Sequence, residues 1–87
     1  MTRNPMFVHV LAAEPRDGRT VFVEFDDGTS KVVDVAPHLT RGVLARLGAD
    51  DDAFRELYVD SDAGTICWPG DLDLAPELLA SLPDVSR

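Results

Sequence analysis

Apolar and polar residues alternate at a period of two through the first third of the chain, which is the signature of half-buried strands. Phe7 to Ala12 reads as a first strand, apolar on both faces. Glu14-Pro15-Arg16-Asp17-Gly18 is a turn, with Pro15 presetting φ and Gly18 free to take positive φ. Arg19 to Phe25 is a second strand, placing Val21, Val23 and Phe25 on one face and Phe22 and Glu24 on the other. Asp26-Asp27-Gly28 marks a hairpin, and Thr29 to Val35 is the returning strand. These segments predict a three-stranded antiparallel meander.

Pro37 ends the meander, and the period changes. Leu39, Val43, Leu44 and Leu47 share one helical face, with Thr40 placed to cap the N-terminus and Gly48 to end the helix. Gly42, inside that helix, weakens it by about 1 kcal/mol relative to Ala. Asp50 to Ala53 reads as a turn or a single helical turn with carboxylates at its start. Phe54 then returns to the core. Glu56 to Asp60 and Thr65 to Trp68 form a second pair of short strands joined by Ser61 to Gly64. Pro76 opens a C-terminal helix whose apolar side is Leu78, Leu79 and Leu82. The order βββ-α-ββ-α defines an α+β fold, and residues 1–87 read as a single small domain with no linker or repeat. The expected core is Val21, Val23, Phe25, Val33, Val35, Leu44, Leu47, Phe54, Val59, Ile66 and Trp68.

Charge narrows the function. Sixteen acidic against eight basic residues leave a formal net charge of -8. That balance argues against binding nucleic acid or an anionic membrane, both of which attract clustered Lys and Arg. No apolar run approaches the roughly 20 residues of a membrane span. The apolar stretch within Met1 to Ala13 contains His9 and is only strand-length, so a signal peptide is not expected. The single cysteine, Cys67, permits no internal disulfide and points to a reducing cytoplasm or to self-association as the stabiliser.

Candidate chemistry is sparse. Asp60 and Asp62, and Asp71 and Asp73, have a spacing compatible with a hard cation, but the twelve-residue calcium loop is absent and turn chemistry explains them better. His9, His38 and Cys67 have no recognised metal-ligand spacing. Cys67, between Ile66 and Trp68, sits in an apolar setting that leaves a thiol inert. No serine lies in a nucleophile elbow, and no glycine-rich phosphate loop is present. No catalytic residue, metal or cofactor is therefore expected. The distinctive stretch is Gly64-Thr65-Ile66-Cys67-Trp68-Pro69-Gly70. Trp68 reads first as a core anchor; a functional reading makes Trp68, Pro69, Asp71 and Asp73 part of a partner-recognition surface.

These residues carry a resemblance. Val21-Phe22-Val23-Glu24-Phe25-Asp26-Asp27-Gly28, Val33-Asp34-Val35 leading to Leu39, and Gly42-Val43-Leu44 match the bacterial domain of unknown function 2442 family in order. The match continues through Phe54, Val59-Asp60 and the run from Gly64 to Leu79, of which Gly-Thr-Ile-x-Trp-Pro followed by Asp-Leu-Asp is the specific part. Family patterns often place an extra residue between the Pro and the Gly, whereas Pro69 runs directly into Gly70. The resemblance implies an α+β domain without assigned catalytic residues. It further implies a small protein partner encoded by a neighbouring gene, the two having been proposed to act as toxin and antitoxin. Larger relatives carry a fused helix-turn-helix segment, which is not expected to carry over to this chain.

Three functions follow as expectations. The first is a non-enzymatic protein-interaction module, the acidic partner of a small basic protein, using the apolar first strand as an open edge. The second is a self-assembling homodimer, joined through an edge strand or through the Leu78/Leu79/Leu82 face. The third is an enzyme built on Asp60, Asp71 or Asp73 with His38.

Overall fold

The computed structural model describes residues 8–86. It contains two three-stranded antiparallel sheets and three short α-helices, an α+β architecture. The first sheet is the meander β1 (Val10–Pro15), β2 (Thr20–Phe25) and β3 (Ser30–Asp34), in that order. α1 (Ala45–Ala49) and α2 (Asp51–Phe54) link it to the second sheet. That sheet is β4 (Tyr58–Asp60), β5 (Thr65–Trp68) and β6 (Leu72–Asp73), and α3 (Pro76–Ser81) follows.

Alternation sets the first sheet as its sequence dictates. Val21, Val23 and Phe25 are buried on β2 while Glu24 is exposed, and Val33 and Val35 bury their side chains from the return strand. The hairpin turn is closed by Phe25 N–H donating to Thr29 O at 2.8 Å, with Asp27 Oδ1 accepting from the Thr29 amide and hydroxyl. The first strand begins later than its composition suggests, at Val10, and Phe7 lies outside the described residues. It also runs through Glu14 and Pro15, which the composition assigns to the turn. Pro15 is tolerated because β1 is an edge strand, where a missing N–H costs no ladder bond. A register shift between Val10 and Ala12 turns Leu11 outward.

The expected helix across Thr40 to Leu47 is broken into pieces. Short 3₁₀ segments at Ala36–His38 and Gly42–Leu44 precede α1, and Thr40 caps neither. Gly42 is the reason. Its φ is 61°, so it turns the chain into the helix and does not sit in a helical interior. Gly48, expected as a terminal cap, lies inside α1, where a Cβ would strike the carbonyl oxygen of Leu39. The helix ends instead at Asp50, whose carboxylate accepts from Asp52 N at 3.0 Å and Ala53 N at 3.2 Å and so starts α2. Gly42→Ala should therefore lower stability by about 1–2 kcal/mol, the cost of a left-handed Ala, although its Cβ meets nothing within 4 Å. A urea midpoint that rises in this variant would show that position 42 is helical after all.

One apolar cluster joins both sheets to the helices. Trp68, Phe54, Ile66, Leu79, Val21 and Val33 are fully buried within it. Leu44 and Val59, expected in the core, pack at its margin and are half-buried. Val8, Val10, Leu39, Ala53, Leu74 and Leu79 join it beyond the expected set. No helix among the described residues is long and apolar enough to cross a membrane.

Candidate functional site

β5 and β6 form a tight hairpin, and this is where the distinctive Trp-Pro-Gly-Asp stretch lies. Trp68 pairs with Leu72, and Cys67 with Asp73, so Pro69-Gly70-Asp71 is the connection. Gly70 has φ 95° and Asp71 φ 63°. A non-glycine residue at that φ is uncommon, and Asp is among the side chains that tolerate it best. The two-residue β6 is absent from the sequence expectation because its run is too short to show a period.

The four predicted contact residues separate. Pro69, Asp71 and Asp73 are exposed, but Trp68 is 0% exposed. Its ring lies 6.1 Å from that of Phe54, tilted by 37°, and its Nε1–H donates to Phe54 O at 2.8 Å. A partner on this hairpin would meet Pro69, Asp71 and Asp73; Trp68 holds the hairpin from beneath and cannot be a contact residue. The Leu78/Leu79/Leu82 side of α3 is likewise turned inward. Leu79 is buried, and Leu78 and Leu82 are half-buried against the core.

The reactive residue types are dispersed. Cys67 is buried, and burial pushes its thiol pKa up, with the charges of Asp60 and Asp73 adding to the rise. A thiol so placed is a poor nucleophile at neutral pH. His9 is exposed and pairs with Asp26: Nδ1 lies 3.3 Å from Asp26 Oδ2, and the His9 amide donates to Oδ1 at 3.2 Å. His38 sits half-buried in the first 3₁₀ segment. Asp60 is spent on a turn, its Oδ1 accepting from Asp62 N at 2.9 Å and from Ala63 N at 3.3 Å. Among the described residues no group of three or more His, Cys, Asp or Glu is placed to hold a metal ion.

Charge, by contrast, is sorted along the chain. Residues 1–49 hold six acidic and six basic side chains; residues 50–87 hold ten acidic and two basic. The whole net charge thus belongs to the segment that builds α2, the second sheet and α3. Asp51, Asp52, Glu56, Asp62, Asp71, Asp73 and Glu77 are all exposed there. Desolvation keeps charged groups outward wherever no partner is buried with them, so an acidic sequence half becomes an acidic surface.

Two polar residues that pattern reading passes over tie distant parts of the chain together. Thr65 is buried and its hydroxyl donates to the carbonyl of Leu74, tying β5 to the segment after β6. Arg19, at the end of the first turn, reaches the carbonyl oxygens of Leu47 and Gly48 at 2.8 and 3.2 Å. Its signal in the sequence was a lone Arg beside a turn, and its acceptors lie 28 and 29 residues away.

Neither the curated proteins nor the solved structures provide a match to this chain. One family model does match, over residues 10–82, a span that holds both sheets, all three helices and the Trp-Pro-Gly-Asp hairpin. Its description is "Protein of unknown function (DUF2442)", and the chain belongs to that family.

Proposed function

We propose that the chain is a non-catalytic protein-interaction module whose acidic half, residues 50–87, receives a small basic protein, in the way an antitoxin receives its toxin. The observation that carries this reading is the placement of charge. The entire net charge lies on one stretch of chain, its carboxylates are exposed there, and only Arg55 and Arg87 share that stretch, with Arg19 reaching Asp51 from outside it. Such a field speeds encounter with a basic partner and disfavours acidic ones. It also repels the phosphates of nucleic acid and of anionic membranes. The dispersal of Cys67, His9 and His38 fits binding better than acid–base or nucleophilic chemistry. A lone buried cysteine suits a reducing cytoplasm.

The test is co-expression with the product of the neighbouring gene, followed by mass measurement in solution. A stable hetero-complex is expected, with association slowed at least tenfold between low and high salt and slowed likewise by Asp71→Asn with Asp73→Asn. A chain that runs alone at every salt concentration, beside a well-folded candidate, would refute the reading.

A further inference from the structure

Open strand edges are places where another chain can pair. The apolar first strand, expected as the open edge, is blunted three times over. Leu11 sits at a bulge, Pro15 has no N–H to offer, and the Val10 amide is already donated to Gly64 O at 2.9 Å. The edge of β3 is different. Phe25 N donates to Thr29 O and Val35 N to Arg19 O, which fixes the phase of the ladder between β2 and β3. Alternation then turns the N–H and C=O of Ser30, Val32 and Asp34 to the outer side.

The chain's own C-terminal segment occupies the middle of this edge. Val85 N–H donates to Val32 O at 2.7 Å, and Val32 N–H donates to Asp84 Oδ1 at 3.1 Å. The first is a backbone bond to the outer side of β3; in the second a carboxylate stands where a neighbouring strand would place a carbonyl. The same Asp84 oxygen accepts from Ser86 N at 2.9 Å. Among the described residues the hydrogen bonds from this segment to β3 are at Val32, with the Lys31 charge nearby favouring the Asp84 carboxylate, and residues 83–86 are all exposed. Beside it runs an open groove of about 920 Å³ whose apolar lining is Phe22, Val32 and Val85. The Arg16 guanidinium stands 5.3 Å from the Phe22 ring centroid.

We propose that the β3 edge is a strand-accepting site for an extended segment of a partner protein, and that residues 83–86 are a strap that closes it until such a segment displaces them. The strap shows the minimum that the site takes: a backbone N–H donated to Val32 O and an acceptor for Val32 N–H. A true strand would satisfy Ser30 and Asp34 as well, where the strap satisfies one rung, and this difference favours exchange. Recognition is by backbone, not by charge. Asp17, Asp34 and Asp84 on the groove are set against Arg16 and Lys31, and the Lys31 ammonium is already held by the carbonyls of Ala80 and Leu82. The accepting edge and its groove wall are built from residues of the charge-neutral half, and only the strap, with Asp84, comes from the acidic segment.

The probe is a synthetic peptide of residues 82–87, Leu-Pro-Asp-Val-Ser-Arg, titrated while backbone amide shifts are followed by NMR. A chain ending at Leu82 should bind it at least tenfold more tightly than the full chain. Shifts should centre on Ser30, Val32 and Asp34, and N-methylation of the peptide's valine should abolish them. The full chain carrying Val85→Pro loses the strap's donor without loss of length and should show the same gain, which covers the case of a truncated chain that does not fold. Equal binding to full and opened chains, indifference to N-methylation, or pairing of the opened chain with a second copy of itself would each overturn the proposal.

Discussion

Replacing Trp68 by Ala should leave the protein unfolded or close to it at 37 °C. The side chain is 0% exposed and packs on Phe54, and its indole N–H is bonded to the Phe54 carbonyl. Truncation removes the largest buried side chain and leaves a void between β5 and α2. Large aromatic truncations in a core cost about 3–5 kcal/mol. A domain of this size has roughly 5–10 kcal/mol in all, and less if its small core places it at the low end. Trp68→Phe is a milder truncation: it keeps one aromatic ring and loses the second ring together with the donor. Phe54 O also accepts from Leu57 N at 3.3 Å, so the carbonyl is not orphaned. A cost of about 1–2 kcal/mol is expected for that variant. Urea denaturation followed by circular dichroism gives both values. A Trp68→Ala variant with a midpoint near that of the parent would mean that the ring is not a core anchor.

The contrast between Trp68 and Asp71 shows what a sequence pattern can carry. A Trp in an apolar run between a turn and a Pro-Gly pair reads as a core anchor from composition alone, and it is one. The meander was legible for the same reason, because strands with one buried face repeat at a period of two over five or six residues. Two kinds of feature were not legible. The first is backbone conformation: Gly42 at φ 61° breaks what the apolar spacing of Leu39, Val43, Leu44 and Leu47 presents as one helix. Val43 ends 74% exposed as a result, so an apolar position in a helical pattern was not a core position. The second is contact across long sequence separation. Nothing near Val32 announces that Val85 will lie against it, and β6 exists only because the turn at Gly70 and Asp71 brings Leu72 back to Trp68. The candidate site was half-legible in consequence. Its carboxylates could be counted, but their concentration on one half of the fold, with the first half neutral, becomes a surface only once the two sheets are distinguished.

Arg19 should be the most sensitive charged residue of the chain, and its sensitivity should come from carbonyls and not from its ion pair. Nε and Nη2 donate to Leu47 O and Gly48 O, in the last turn of α1, where helix carbonyls lack partners of their own and the helix dipole favours a cation. The guanidinium carbon stands 5.1 Å from the Phe54 ring centroid, and the side chain is 14% exposed. Nη1 also reaches Asp51 Oδ1 at 2.6 Å, but that carboxylate is 81% exposed. Solvent-exposed pairs contribute at most about 1 kcal/mol. Hydrogen bonds from a charged donor to partly buried carbonyls contribute about 1.5–3 kcal/mol, and their loss strands the acceptors. Arg19→Met, which keeps the aliphatic stem, should therefore destabilise by about 2–4 kcal/mol, and Asp51→Ala by about 1 kcal/mol or less. Arg19→Lys should recover little, because a single ammonium cannot span two carbonyls and a ring as the planar fork does. A double-mutant cycle between positions 19 and 51 tests the assignment: a coupling energy as large as the Arg19→Met loss would put the stability in the ion pair and take it away from the α1 carbonyls.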